Sequence, residues 1–180
     1  MDDISAVRST LQKFQDGYTS RDVTRLDEFM QLFVPGEAIE MIGTGASKRA
    51  ANEWREGFTP VREFVESDWK YWGDVRLDVV GARITVHGDV AWISTSGTVT
   101  QTQAFDTVIE YHLQDMKAFF DRDDLSPDEK LVEATHYGMR RLRECVRGIG
   151  HISPLTFTAV LIRMGAEWCI HTQHWARPAD

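Results

Sequence analysis

Leu155-Thr156-Phe157-Thr158-Ala159-Val160-Leu161-Ile162-Arg163, followed by Met164-Gly165-Ala166 and then Glu167-Trp168-Cys169-Ile170-His171-Thr172-Gln173-His174-Trp175, is the stretch on which the fold turns. Both runs are rich in β-branched and aromatic residues, and a short glycine-containing link joins them, so the sequence predicts an antiparallel β-hairpin. Upstream, Val75, Leu77 and Val79, then Ile84 and Val86, then Val90 to Val99 alternate around Gly81-Ala82 and His87-Gly88-Asp89, which predicts an antiparallel meander.

The N-terminal third has a different period. Ile4, Val7, Leu11 and Phe14, and then Val23, Leu26, Phe29, Met30 and Phe33, recur at three- and four-residue spacing. That spacing predicts two amphipathic helices. Between them Gly17 is expected to cap the first helix, and Ser20 to cap a second that begins at Arg21-Asp22. Glu37 to Ile42 alternates into Gly43-Thr44-Gly45 as a short strand, and further helix is predicted over Ala50 to Glu56 and from Thr59-Pro60 through Trp72. Helices followed by strands define an α+β class.

Residues 103–153 interrupt the strands. Ser126-Pro127-Asp128-Glu129 is a strong helix start, after which Leu131, Thr135, Met139, Leu142 and Val146 form one stripe. His136, Arg140, Arg143 and Arg147 form another, either a solvated face favoured by the helix dipole or an anion or subunit contact. Phe105 to Phe120 fits both periods and is expected to pass from strand into helix. No repeat or linker calls for a second domain, so residues 1–180 are expected to form one domain carrying a helical insert.

With Lys+Arg 20 against Asp+Glu 28 the net charge is −8, which disfavours nucleic acid and anionic membranes as partners. Apolar stretches such as Ala159 to Ile162 are far shorter than the roughly 18 residues of a membrane span. Two cysteines, Cys145 and Cys169, are too few for a disulfide framework, and Met1-Asp2-Asp3-Ile4 lacks the pattern of a signal peptide. A soluble protein of the reducing cytoplasm is the expectation.

Ile42-Gly43-Thr44-Gly45 with Glu53-Trp54 and Gly57, then Gly88-Asp89-Val90-Ala91-Trp92, Thr158-Ala159-Val160-Leu161 and the ending Trp168 to Pro178 follow one another along the chain. In that order these motifs resemble the SnoaL-like branch of the nuclear transport factor 2-like superfamily. The resemblance implies a cone or half-barrel, with N-terminal helices packed in the concave face of a curved antiparallel sheet. It also implies a small-molecule pocket at the open end and a homodimer formed through the sheet. One activity does not follow, because the fold hosts isomerases, cyclases, dehydratases, hydrolases and binding modules.

By the resemblance, Trp54, Trp69 and Trp72 border the pocket, with Phe14, Tyr18, Phe58, Trp92 and Thr172 as further lining. Core packing and an aromatic wall for a flat or apolar ligand both suit the tryptophans. His171 and His174 are three apart on a strand and face opposite ways, which argues against a shared metal ion. His174 has the parity of Trp168, Ile170 and Thr172. If that face is concave, His174 lies inside as a general base or ligand-orienting group, and the opposite parity brings in His171 and Trp175.

Enzymes of this fold, ketosteroid isomerase among them, move protons with a carboxyl group in an apolar pocket. The carboxylate candidates are Glu40, Glu53, Asp68, Asp106 and Glu110, of which Glu53 is expected to bind backbone near Gly43-Thr44-Gly45. The expected catalytic set is therefore His174, Glu40 and Asp68, with no metal and no cofactor. Gly43-Thr44-Gly45-Ala46-Ser47-Lys48 lacks the spacing of a phosphate loop. Two functions follow as expectations. One is a pocket protein that isomerises, cyclises or hydrates an apolar or aromatic substrate by acid/base chemistry, and the other a non-enzymatic dimeric ligand-binding or interaction module.

Overall fold

A computed structural model describes residues 2–46, 48–49 and 53–177. The chain divides into two compact units, Met1–Val99 with Ile152–Asp180, and Thr100–His151.

In the first unit, helix α1 (Asp3–Ser20) is capped by the Asp2 carboxylate, which accepts from the Ser5 N–H at 2.7 Å. It buries Val7, Leu11, Phe14 and Tyr18 along one stripe. Gly17 does not end this helix, as the sequence implied; Arg21 does, in the left-handed conformation at φ 48°, donating its N–H to the Gly17 carbonyl. Gly17 is instead a contact residue, since a Cβ there would lie 2.3 Å from Phe29 Cδ2. Asp22, not Ser20, caps the next turn, and Val23–Leu32 is a run of 3-10 helix interrupted by the short α2 (Leu26–Phe29).

Strands β1 (Glu40–Ile42) and β2 (Trp54–Glu56) follow. The second replaces the end of the helix expected over Ala50 to Glu56, because Trp54 to Glu56 find ladder partners in β1; Ala50 to Asn52, and the closing Pro178, lie outside the described residues. Helix α3 (Phe58–Tyr71) starts at Gly57, whose φ of 87° fits only glycine comfortably, rather than at a Thr59 cap. The predicted strands are present as β3 (Asp74–Leu77), β4 (Arg83–His87), β5 (Val90–Thr100), β6 (Ile152–Met164) and β7 (Glu167–Ala176).

The class is α+β, with the N-terminal helices against a curved, unclosed sheet. Strand order is β2-β1-β7-β6-β5-β3, with β4 also paired to β5. β1 runs parallel to β7, so the sheet is mixed rather than wholly antiparallel. Helix and sheet enclose one core, in which Phe14 lies 4.9 Å from Tyr18, 5.1 Å from Phe157 and 5.8 Å from Trp175 between ring centroids.

The second unit is a helical hairpin. Helix α4 (Phe105–Phe120) is helical throughout, correcting the expected strand start: its β-branched Thr107, Val108 and Ile109 imitate a strand, while Val108 and His112 bury one helical face. Helix α5 (Pro127–Cys145) has the predicted capping box between Ser126 and Glu129. The helices approach closely at Gly138, where a Cβ would stand 2.8 Å from the Met116 side chain. Between them Tyr137 donates to Asp115 at 2.6 Å and accepts from the Nδ1 of buried His112 at 3.1 Å. Desolvation, helped by the nearby Arg141 charge, lowers the His112 pKa to about 4, so its ring is neutral at pH 7.

Gly17→Ala tests the α1–Phe29 approach. Better helix propensity contributes about 1 kcal/mol, whereas forcing Phe29 away from its packed position costs about 1–3 kcal/mol. Net destabilisation is expected in urea unfolding, and a variant as stable as the parent would show that Phe29 yields freely.

Candidate functional site

The hairpin pairing determines what faces the interior. From Thr156 to Val160 each β6 residue pairs with β7 in constant register, from Thr156↔Ala176 to Val160↔Thr172, but Leu161 pairs with Ile170. His171 is the extra residue of a β-bulge. Strand parity reverses there: Trp168 and Ile170 are buried before it, and Gln173 and Trp175, each 1% exposed, after it.

Cross-strand partners share a sheet face, so the register sorts the predicted residues. One face carries the row Met41–Gln173–Ala159, all buried. The opposite face carries Trp54–Ile42–His174–Thr158 and, beside it, Glu56–Glu40–Thr172–Val160. Four predicted site residues, Glu40, Trp54, Thr172 and His174, therefore lie on the face away from the core. His174 is exposed, and the expectation that it points into the cone is corrected by the bulge. Glu40 engages Arg49 at 3.2 Å, and Arg49 also binds Glu56 at 2.5 Å. Thr172 contacts the Nδ1 of His171 at 2.8 Å. Trp92 is 47% exposed opposite Thr85 and does not line the interior either.

Asp68, Phe14, Tyr18, Trp69 and Trp72 do come together. In α3, Val61, Val65 and Trp69 point into the core at four-residue spacing, and this leaves half-buried Asp68 at its margin. Tyr18, 1% exposed, donates its hydroxyl to Asp68 Oδ2 at 3.0 Å. Burial, reinforced by the Asp68 charge, raises the Tyr18 pKa well above its usual value and keeps the phenol neutral. Phe58 is half-buried at the start of α3, against the same core.

Gln173 and Trp175 complete the cluster. Trp175 packs on Tyr18 and Trp72, each with ring centroids 5.4 Å apart and close to edge-on. The Gln173 amide and the Trp175 indole N–H lie near enough to the Tyr18 oxygen to oppose its pKa rise, yet neither reaches hydrogen-bonding geometry with any group among the described residues. A fully buried carboxamide with neither donor nor acceptor used is costly, at about 1–3 kcal/mol for each unmade bond. Sequence reasoning missed Gln173 because no glycine or other signal marks the bulge.

Glu53 is accounted for: it accepts from the Gly45 N–H at 2.6 Å and contacts the Thr44 hydroxyl at 3.5 Å, the backbone role the sequence suggested. Among the described residues no group of three His, Cys, Asp or Glu is gathered as a metal site, and no helix is long and apolar enough to cross a membrane.

The SnoaL-like domain family matches residues 7–118, and the chain belongs to that family. The matched stretch ends within α4, leaving the β6–β7 hairpin beyond it. No curated protein matches the sequence. Among solved structures, a dehydratase candidate of the nuclear transport factor 2-like family from Streptomyces avermitilis is 10% identical, covering 99% of this chain and 97% of that one at a TM-score of 0.60. A ketosteroid isomerase-like protein from Erwinia carotovora atroseptica is 9% identical, with coverages of 99% and 98% and a TM-score of 0.60. A nuclear transport factor 2-like protein with a cystatin-like fold, from Novosphingobium aromaticivorans, is 13% identical, with coverages of 96% and 80% and a TM-score of 0.56. At these identities the likeness is one of fold.

Gln173→Met keeps the side-chain length and removes the unpartnered amide. Urea unfolding of the ligand-free protein is expected to show unchanged or higher stability, by up to about 3 kcal/mol. A clear loss would mean that the amide already bonds within the protein.

Proposed function

We propose that the cluster around Tyr18 and Asp68 is a small-molecule site that carries out cofactor-independent acid/base chemistry on an apolar or aromatic substrate. The observation that supports this most is the buried pairing of the Tyr18 hydroxyl with the Asp68 carboxylate beside the unsatisfied Gln173 amide. Asp68 acts as general base on a carbon adjacent to a carbonyl, and the Nε2 of Gln173 and the Nε1 of Trp175 donate to the carbonyl oxygen as it gains charge. Returning the proton at another carbon completes an isomerisation; expelling a neighbouring hydroxyl as water completes a dehydration. The dehydratase candidate and the ketosteroid isomerase-like structure are consistent with such chemistry on this fold. Trp69 and Trp72 supply apolar surface for a flat ring. With both cysteines free and buried, a reducing cytoplasmic setting is part of the same reading.

Exchange of the α-protons of 2-tetralone in D2O, followed by NMR, tests the chemistry. The parent protein is expected to accelerate exchange, Asp68→Asn to abolish the acceleration, and Tyr18→Phe to reduce it. His174→Ala, on the opposite face, is expected to leave it unchanged. Exchange at the buffer rate with the parent, or equal acceleration by Asp68→Asn, would refute the assignment.

A second reading concerns the outer sheet face. Trp92, Val90 and Val160 are exposed there, and a self-complementary apolar face fits a homodimer through the sheet, whether or not the interior is catalytic. Trp92→Arg is expected to halve the mass seen by analytical ultracentrifugation. An unchanged mass would remove this face from any interface.

A further inference from the structure

Helix α5 has two apolar faces. Ala134 and Cys145 are buried, while Val132, Met139, Leu142 and Val146 are exposed at 65%, 51%, 49% and 68%. With exposed Thr135 these positions step by three, four, three and four residues, the repeat of a coiled-coil seam. Immediately beside this seam runs a charged stripe whose sign changes along the helix. Glu129 and Glu133 lie in its first half, and Arg140, Arg143 and Arg147 at its end.

That order of charges selects a partner. A helix that is acidic throughout would match the arginines and repel the glutamates, and a parallel copy would carry the two charged stripes to opposite sides of the seam, where neither meets an opposite charge. An antiparallel copy satisfies both halves at once. When two α5 helices pair about a two-fold axis near Met139, Val132 faces Val146 of the second copy, Thr135 faces Leu142, and Met139 meets its own counterpart. The flanking stripe then meets itself reversed, with Glu133 beside the partner's Arg143 and Glu129 beside the partner's Arg147. We infer that the exposed face of α5 is an interface for a second copy of this chain, paired antiparallel through the Val132–Val146 seam. The surface is isologous, so it closes on itself as a two-fold contact. It is independent of the chemistry proposed for Tyr18 and Asp68.

Sedimentation equilibrium of the full chain tests this inference. Met139→Lys, at an exposed position, is expected to halve the parent mass while the far-UV circular dichroism is retained. Glu133→Arg and Arg143→Glu, taken singly, are each expected to raise the dissociation constant of this contact by about tenfold or more. The double variant is expected to restore it. Trp92→Arg separates this contact from one through the sheet: a tetramer that falls to a dimer with either Trp92→Arg or Met139→Lys has both interfaces. A parent dimer lost only on Met139→Lys has α5 alone. A mass unaffected by Met139→Lys, or a double charge swap no better than the single ones, would overturn the proposal.

Discussion

Between Val160 and Leu161 the β6–β7 ladder slips by one residue, leaving His171 unpaired, and the contents of the interior follow from that slip. In unbroken register the parity of Trp168 and Ile170 would continue through Thr172 and His174, placing an imidazole and a hydroxyl among the core rings. Trp175 would then turn outward, away from Phe157 at 4.6 Å and Trp72 at 5.4 Å. The bulge trades that arrangement for one large apolar ring and one carboxamide facing α1. Because β1 pairs with β7 residue for residue, its faces are set by the same event: Met41 lies beside Gln173, and Glu40 is sent to the other side.

The second dependence is on how closely α1 can approach its neighbours. Gly17 allows Phe29 to pack against the helix backbone, and Phe29 in turn meets Trp69 at 4.9 Å and Phe14 at 5.4 Å. This keeps α1 and α3 near enough for Tyr18 to reach Asp68. A phenol buried in such an apolar setting without an acceptor would carry the cost of an unmade hydrogen bond. The Asp68 carboxylate removes that cost and gains a charge-assisted bond. Packing and chemistry are therefore coupled here, since the rings that form the core also fix the geometry of the Tyr18–Asp68 pair.

Local signals in the sequence were reliable where the structure is local. The α5 capping box, the α1 stripe and the Gly165-Ala166 turn are each specified by residues a few positions apart. The readings that failed depended on distant partners. Gly17 looks like a helix cap until Phe29 is placed against it. Trp54 to Glu56 looks helical until β1 supplies a ladder, and β1 itself depends on β7, some 130 residues away in the chain. The site shows the same division: Phe14, Tyr18, Asp68 and Trp69 lie on helices whose periodicity shows in the sequence, and Trp72 caps the second of them. Gln173 was missed, and His174 misplaced, because alternation along β7 was carried across a bulge that Ile170-His171-Thr172 does not announce.

Apolar periodicity indicates that a helical face is covered without indicating what covers it. In α5 two such faces coexist. Ala134, Gly138 and Cys145 are small, and small residues suit the side on which α4 approaches to within the reach of the Met116 side chain. Val132, Met139, Leu142 and Val146 are larger and lie on a different side. A helix optimised only for its own hairpin would carry polar residues there, because exposed apolar side chains gain nothing from water. Charge order adds what hydrophobicity lacks, a direction along the axis. Acids in the first turns and arginines in the last also suit the macrodipole of an isolated helix. The dipole acts only at the ends, however, and does not explain why Glu133 and Arg140, each more than a turn inside α5, continue the same gradient beside the apolar seam.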